Sequence, residues 1–238
     1  MFYLTGDTHR KFSRIKEFLK YDFFHTIDDV IIILGDVGIN YYGDYGKPND
    51  YELKEELSKL KVTLFCIYGN HEKRPENINS YKEKEWRGGV VYWEPEFPNL
   101  IFAKDGEIYD FDGNRCIVIG GAHSIDKEYR IKDVDWWADE QPSDKIKARV
   151  EERLAKENWK VDVVLSHTCP YKFMPNHALM PDDWGFDFDN STEHWLDTIK
   201  NRLTYNKWYC GHFHTNHTNG KMTFISYDFI ELKPKIQK

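Results

Sequence analysis

Five short stretches of the chain place carboxylate, amide and imidazole side chains directly behind apolar runs. They are Gly6-Asp7-Thr8-His9, Gly35-Asp36-Val37-Gly38, Gly69-Asn70-His71-Glu72, Ser166-His167-Thr168 and Gly211-His212-Phe213-His214. Together they offer two aspartates, one asparagine and four or five histidines. Hard oxygen mixed with imidazole nitrogen suits borderline divalent ions such as Mn, Fe, Co, Ni or Zn. The set contains no thiolate and has too many imidazoles for Ca or Mg alone. Seven ligands exceed what one ion takes and fit two ions sharing a carboxylate. Two metals about 3.5–4 Å apart clamp the attacking and leaving oxygens of an in-line displacement at phosphorus, and a water between them loses its proton near neutral pH.

The elements that must hold these groups are short apolar strands. Phe2 to Thr5 is the first, Val30 to Leu34 is a continuous apolar run, as expected of a strand buried on both faces, and Thr63 to Tyr68 is another buried strand. Helices are expected between them, over Arg10 to Tyr21 and Tyr51 to Leu60. The resulting β-α-β-α-β order predicts a largely parallel, helix-covered sheet. Short runs at Val90 to Trp93, Leu100 to Ala103, Glu107 to Phe111 and Cys116 to Ile119 predict antiparallel hairpins. A helix capped by Ser143 should run to Trp159, followed by a strand at Val161 to Leu165, a helix from Ser191 to Leu203 and a strand at Lys207 to Cys210. Met222 to Ile225 and Phe229 to Leu232 are expected to form a terminal hairpin. In open α/β sheets ligands bind beyond the carboxyl ends of the strands, where the five stretches lie. Two loops, Asn40 to Asp50 and Thr168 to Asn190, are long enough to carry function.

Composition bounds the rest. The 238 residues suit one domain spanning 1–238, and 40% hydrophobic residues are ample for a core. No apolar run approaches the ~20 residues that span a bilayer, so no membrane partner is expected. The net charge of -7 lacks the broad basic field of a generic nucleic-acid binder; nucleic acid is not favoured as a partner. The acidity suits bound cations. Cys66, Cys116, Cys169 and Cys210 are scattered, with no CxxC, and are expected as reduced thiols. With no basic leader and no cleavage site ahead of the first strand, a cytoplasmic location is expected.

The five blocks GDTH, GDVG, GNHE, SH and GHFH, from Asp7 to His214, resemble those of the calcineurin-like metallophosphoesterase superfamily. The resemblance implies a four-layered α/β/β/α sandwich, with two mixed β-sheets flanked by helices and the metal site at the strand C-terminal ends. It implies that Asp7, His9 and His214 bind one metal and that Asp36 bridges. Asn70, His167 and His212 would bind the second. His71 would hydrogen-bond the phosphate and protonate the leaving oxygen, which suits an imidazole near neutral pH. Asn70 would also help place a phosphoryl oxygen. The cofactor expected is a pair of divalent ions, Mn first, with Fe, Zn, Ni or Co as alternatives.

The implied activity is hydrolysis of phosphate esters by a hydroxide held between the metals. A phosphatase acting on a phosphorylated small molecule or phosphopeptide is the first reading. A phosphodiesterase or nuclease acting on cyclic nucleotides or DNA is the alternative, and a non-catalytic metal-binding scaffold the second. Strict protein phosphatases of the superfamily continue the second block as GDxxDRG, whose Arg grips phosphate and whose Asp supports the histidine. This chain reads Gly35-Asp36-Val-Gly-Ile-Asn-Tyr-Tyr-Gly and has neither. Ile39 stands where purple acid phosphatases carry a tyrosine, so no ferric site is expected. Arg130, Arg74 and Arg10 are candidates to replace the missing arginine, since a guanidinium chelates phosphate with two hydrogen bonds. His123, in Gly120-Gly-Ala-His-Ser124, is a further pocket candidate. Trp136, Trp137, Tyr171, Phe173, Trp184, Phe186 and Phe188 either stack a ring of the substrate or pack loops onto the domain. Asp182, Asp183, Asp187 and Asp189 would repel polyanions if they faced the site. His25, His177, His194 and His217 are given no role.

Overall fold

A computed structural model describes residues 1–21, 26–43, 47–175 and 188–235. Thirteen strands are assigned among them: β1 Phe2–Thr5, β2 Val30–Ile33, β3 Thr63–Cys66, β4 Lys82–Trp86, β5 Gly89–Trp93, β6 Leu100–Ala103 and β7 Ile108–Phe111, then β8 Asn114–Ile119, β9 Val163–Ser166, β10 Lys207–Cys210, β11 His217–Asn219, β12 Met222–Phe224 and β13 Ile230–Glu231. The helices are α1 Ser13–Tyr21, α2 Lys47–Ser58, α3 Asp144–Lys156 and α4 Ser191–Arg202.

The strands form a seven-stranded sheet in the order β13-β1-β2-β3-β6-β5-β4 and a six-stranded sheet in the order β11-β12-β10-β9-β8-β7. Both are mixed: β1-β2-β3-β6 and β8-β9-β10-β12 run parallel, with antiparallel strands at the edges. Side-chain alternation along each strand builds three apolar layers. Leu4, Ile32, Phe65, Tyr109, Val118 and Leu165 meet between the sheets. Ile31, Ile33 and Leu64 turn the other way onto Ile15 of α1 and Leu57 of α2. Ile117, Ile119 and Val164 face Ile146, Val150 and Leu154 of α3 and Leu196 and Ile199 of α4. The order is therefore helices, sheet, sheet, helices, and this α/β sandwich is the expected one.

Four local expectations fail: α2 runs Lys47–Ser58 instead of Tyr51 to Leu60, and the other three have a visible reason. No terminal hairpin forms. β12 pairs with β10 and β11 in one sheet, whereas β13 pairs with β1 in the other, so the chain end straps the two sheets together. The expected helix from Arg10 starts instead at Ser13, because His9 and Arg10 are left-handed (φ 43° and 66°). Helix α3 takes the expected Ser143 cap, its Oγ accepting from the N–H of Ile146 at 3.4 Å, but stops at Lys156, after which Asn158 and Trp159 turn left-handed (φ 53° and 54°). The four cysteines are buried and free. No described helix is long and apolar enough to cross a membrane.

Candidate metal centre

The five stretches converge where β1, β2, β3, β9 and β10 end. Their chemistry-bearing residues sit in an unusual backbone: Asp36, His212 and His214, like His9, are left-handed, with φ of 46°, 62° and 48°. Such conformations persist only where the surroundings over-determine them. Here Asp36 Oδ1 accepts the N–H groups of Asn70 and His71 at 2.8 and 2.9 Å, and its carbonyl accepts the N–H of His9 at 2.8 Å. Asp7 Oδ1 accepts the N–H of His212 at 3.0 Å. Buried Glu72 places one oxygen on the N–H of Val37 and the other on that of Gly38, each at 3.0 Å, and so clamps the turn behind Asp36. Glycine is required at the closest approaches. A Cβ on Gly35 (φ 98°) would lie 2.0 Å from Nδ1 of His167, and one on Gly69 would lie 2.1 Å from both N and Oδ1 of Asp36.

Two groups of side chains could each hold a cation. Asp7, His9 and His214 bring ligand atoms within 4.8 Å of one another, as do Asp36, His167 and His212. Asp36 reaches both, with Oδ2 3.8 Å from Nε2 of His9 and Oδ1 3.6 Å from Nε2 of His167. Asn70 joins the second group, its Oδ1 2.8 Å from Nε2 of His167.

The donors fit metal ions on three counts. Nδ1 of His167 lies 2.8 Å from the carbonyl oxygen of Leu34, an acceptor only, so in the neutral ring it carries the proton and Nε2 presents a lone pair. That lone pair faces another on Asn70 Oδ1, an arrangement that calls for a cation. Nε2 of His9 and Nε2 of His214 meet at 3.0 Å, two ligand nitrogens turned to one point. Asp7 Oδ2 is buried and turned to the same point, 3.2 Å from Nε2 of His214 and 3.7 Å from that of His9.

Charge in the site follows the same logic. Burial opposes ionisation of Asp36, but His167, His71 and His9 hold its carboxyl well below the usual carboxylate range. Asp7 is likewise held low, against burial, by His214 and His167. Burial, with His167 assisting, pushes the His212 imidazole down to about 3, so it is a neutral ligand. The Asp7 carboxylate raises His214. The site is open on one side: the side chains of His9 and His214 are 35% and 56% exposed, against 0% for His167.

The model of the calcineurin-like phosphoesterase family matches residues 1–216. The chain belongs to that family. No curated protein matches it. Membership supports a metal-dependent phosphoesterase, and the paired Asp/His groups are where this calcineurin-like chain could bind its metals.

The remaining candidates divide. His71 lies at the metal groups, with Nε2 3.9 Å from Asp36 Oδ2 and its ring 5.5 Å from that of His9. Its Nδ1 is buried without a partner. Burial holds its pKa below the ordinary histidine value; Asp36 opposes this and the nearby Arg130 adds to it. Arg130 forms a two-point bond to Asp126 (2.8 and 2.7 Å), and its Nη1 donates to Tyr41 Oη and Asp135 O. One Nη2 hydrogen remains for a ligand.

Arg10 and Arg74 are engaged elsewhere. Arg10 binds Asp50 (2.5 Å) and the carbonyls of Gly38 and Asn49, and lies over the Tyr42 ring. Arg74 is buried, paired with Asp105 at 2.7 Å, bonded to the carbonyl of Asp139 and stacked 3.9 Å over Tyr68. Its work is to tie the turn after Asn70-His71 to the end of β8, where Asp105 Oδ1 accepts the N–H of Gly120. His123 is buried 3.5 Å from Glu140, one residue beyond the centre.

The aromatic residues that are described pack segments onto the domain. Trp137 is buried, Tyr171 stacks on His194 at 4.1 Å, and Phe188 meets His123 at 5.6 Å. His217 is an exposed residue of β11. Trp184, Phe186, Asp182, Asp183, Asp187, His25 and His177 lie outside the described residues. Sequence reasoning missed Ser124, whose Oγ accepts from Asn70 Nδ2 at 2.8 Å. The signal that could have found it is the Gly120-Gly-Ala-His-Ser124 turn.

Proposed function

We propose that this chain is a phosphomonoesterase, acting on a phosphorylated small molecule or phosphopeptide through two divalent ions, Mn foremost, in the cytoplasm. The observation that carries the reading is the pair of Asp/His groups bridged by Asp36 and flanked by His71. Asp7, His9, His214 and Asp36 would hold one ion, and Asp36, Asn70, His167 and His212 the other. When bound, such ions supply Lewis acidity at the phosphoryl oxygens and bring the pKa of water near neutrality.

The protein's own groups do the rest. His71 carries the proton that the leaving oxygen receives. A phosphoryl dianion beside its ring would favour the imidazolium form that donates this proton. Arg130, held rigid by Asp126 and Tyr41, offers its remaining N–H to a phosphoryl oxygen. The net charge of -7 favours a small or peptide ester over a long polyanion.

The test is hydrolysis of p-nitrophenyl phosphate against bis-p-nitrophenyl phosphate by metal-stripped protein refilled with Mn, with Asp36→Asn as control. Faster monoester turnover, lost in Asp36→Asn, is expected. Faster diester turnover would replace this reading with the phosphodiesterase or nuclease one. No Mn-dependent turnover of either by protein holding two ions would favour a scaffold.

A further inference from the structure

Asn70 is the only amide among the proposed ligands, and an amide can turn the wrong way. Its oxygen and nitrogen are similar in size, so rotation by half a turn would aim Nδ2, a donor, at Nε2 of His167 and remove the oxygen from the cation site. The fold contains an arrangement that prevents this. Nδ2 of Asn70 donates to Ser124 Oγ at 2.8 Å, and both residues are 1% exposed, so no water competes. Accepting that bond leaves the hydroxyl hydrogen of Ser124 to point elsewhere.

Glu140 is the buried carboxylate on the neighbouring segment. Its carboxylate is 4% exposed; burial raises its pKa, while the hydroxyl and N–H of Ser124 and the indole of Trp136 favour the ionised form. The indole Nε1 donates to Glu140 Oε2 at 2.8 Å, and Nδ1 of His123 lies 3.5 Å from Oε1. The backbone is tied as well: the N–H of Ala122 donates to the Glu140 carbonyl at 3.2 Å, holding the Ser124 turn against the Glu140 segment. The Glu140 segment thus holds the turn that carries Ser124, and Ser124 Oγ holds Asn70.

We infer that Ser124, backed by Glu140, is the positioning residue that fixes the Asn70 amide and thereby builds the second cation site. The inference rests on Asn70 being a ligand, as proposed above. Partners in this outer position typically change metal affinity about 10- to 100-fold when lost. The effect should be confined to one site, because the side chain that Ser124 holds, Asn70, meets His167 of the second group.

The experiment is Mn titration of metal-stripped full-length wild type, Ser124→Ala and Ser124→Thr, following stoichiometry and affinity by calorimetry. Ser143→Ala, at the cap of α3, serves as a control for loss of stability alone. Ser124→Ala should bind one Mn as wild type does and the second about 10- to 100-fold more weakly. Ser124→Thr, which keeps the hydroxyl, should restore two, and Ser143→Ala should bind both normally. Two Mn bound by Ser124→Ala at wild-type affinity would overturn this inference alone. Fewer than two bound by wild type would overturn the two-metal reading and this inference with it. A second measurement needs neither metal nor variant: in wild-type protein the Asn70 side-chain amide protons should exchange with solvent far more slowly than those of an exposed asparagine. Fast exchange would also overturn the inference.

Discussion

Replacing Gly35 by alanine adds one methyl group and tests whether close approach builds the centre. Two effects add. Gly35 has φ of 98°, where an L-residue is strained by about 1–2 kcal/mol. The new Cβ would also lie 2.0 Å from Nδ1, 2.5 Å from Cγ and 2.8 Å from Cε1 of His167. All three distances are below any real contact, and the ring cannot retreat freely, because it is fully buried and bonded to Leu34. Overpacking of this kind costs about 1–3 kcal/mol. The total is about 2–5 kcal/mol, which in a chain of this length lowers Tm by roughly 4–20 °C.

A built-in comparison separates the two effects. Gly220 also has positive φ (62°), but a Cβ there meets nothing within 4 Å. Gly220→Ala should therefore show the backbone strain alone, a fall of about 2–8 °C. Thermal unfolding of the two variants, followed by Mn titration, is the assay. Gly35→Ala should unfold lower than Gly220→Ala and bind Mn poorly at the His167 site, whereas Gly220→Ala should bind normally. If Gly35→Ala matched Gly220→Ala in Tm and kept both ions, the claim that the His167 ring is pinned against Gly35 would be wrong.

Two further substitutions probe the assignments. Arg74→Met should lower stability by about 3–5 kcal/mol, because it leaves Asp105 buried without its cation, while KM for a monoester stays near wild type; a raised KM at unchanged Tm would return Arg74 to the substrate. His71→Gln should cut kcat about 10²–10⁴-fold with both Mn ions still bound, and full activity would remove His71 from the proton transfer.

Much of the layout was legible because it is written locally. Strands β2, β3 and β9 are mostly apolar, and β1, β2, β3 and β10 run out within three residues into glycine followed by a polar residue. What the sequence hid falls into two kinds. β4 (Lys82-Glu-Lys-Glu-Trp86) carries charge on an edge, where Lys84 lies 4.3 Å over the Trp93 ring of its neighbour and Lys104 pairs with Glu83. Such edges lack the apolar period that marks a strand. The second kind is non-local. Nothing in a linear reading shows that Phe229 to Leu232 pairs with β1 rather than with Met222 to Ile225. Nor does it show that Arg74 finds Asp105, thirty-one residues away, before it finds a ligand.

The left-handed backbone at the centre joins these two levels. His9, Asp36, His212 and His214 each occupy a conformation that costs an ordinary residue about 1–2 kcal/mol. A sequence chosen for stability alone would place glycine or asparagine there. These positions carry ligand-type side chains instead, and at two of them hydrogen bonds offset the strain: Asp36 by the N–H groups it accepts from Asn70, His71 and His9, and His212 by Asp7 Oδ1. Each of those bonds joins the end of one strand to the end of another. The bonds that offset the strain are therefore the same bonds that bring the two Asp/His groups together. In this fold the bonds that hold the strained turns of Asp36 and His212 also hold the strand ends, and with them the donors, side by side.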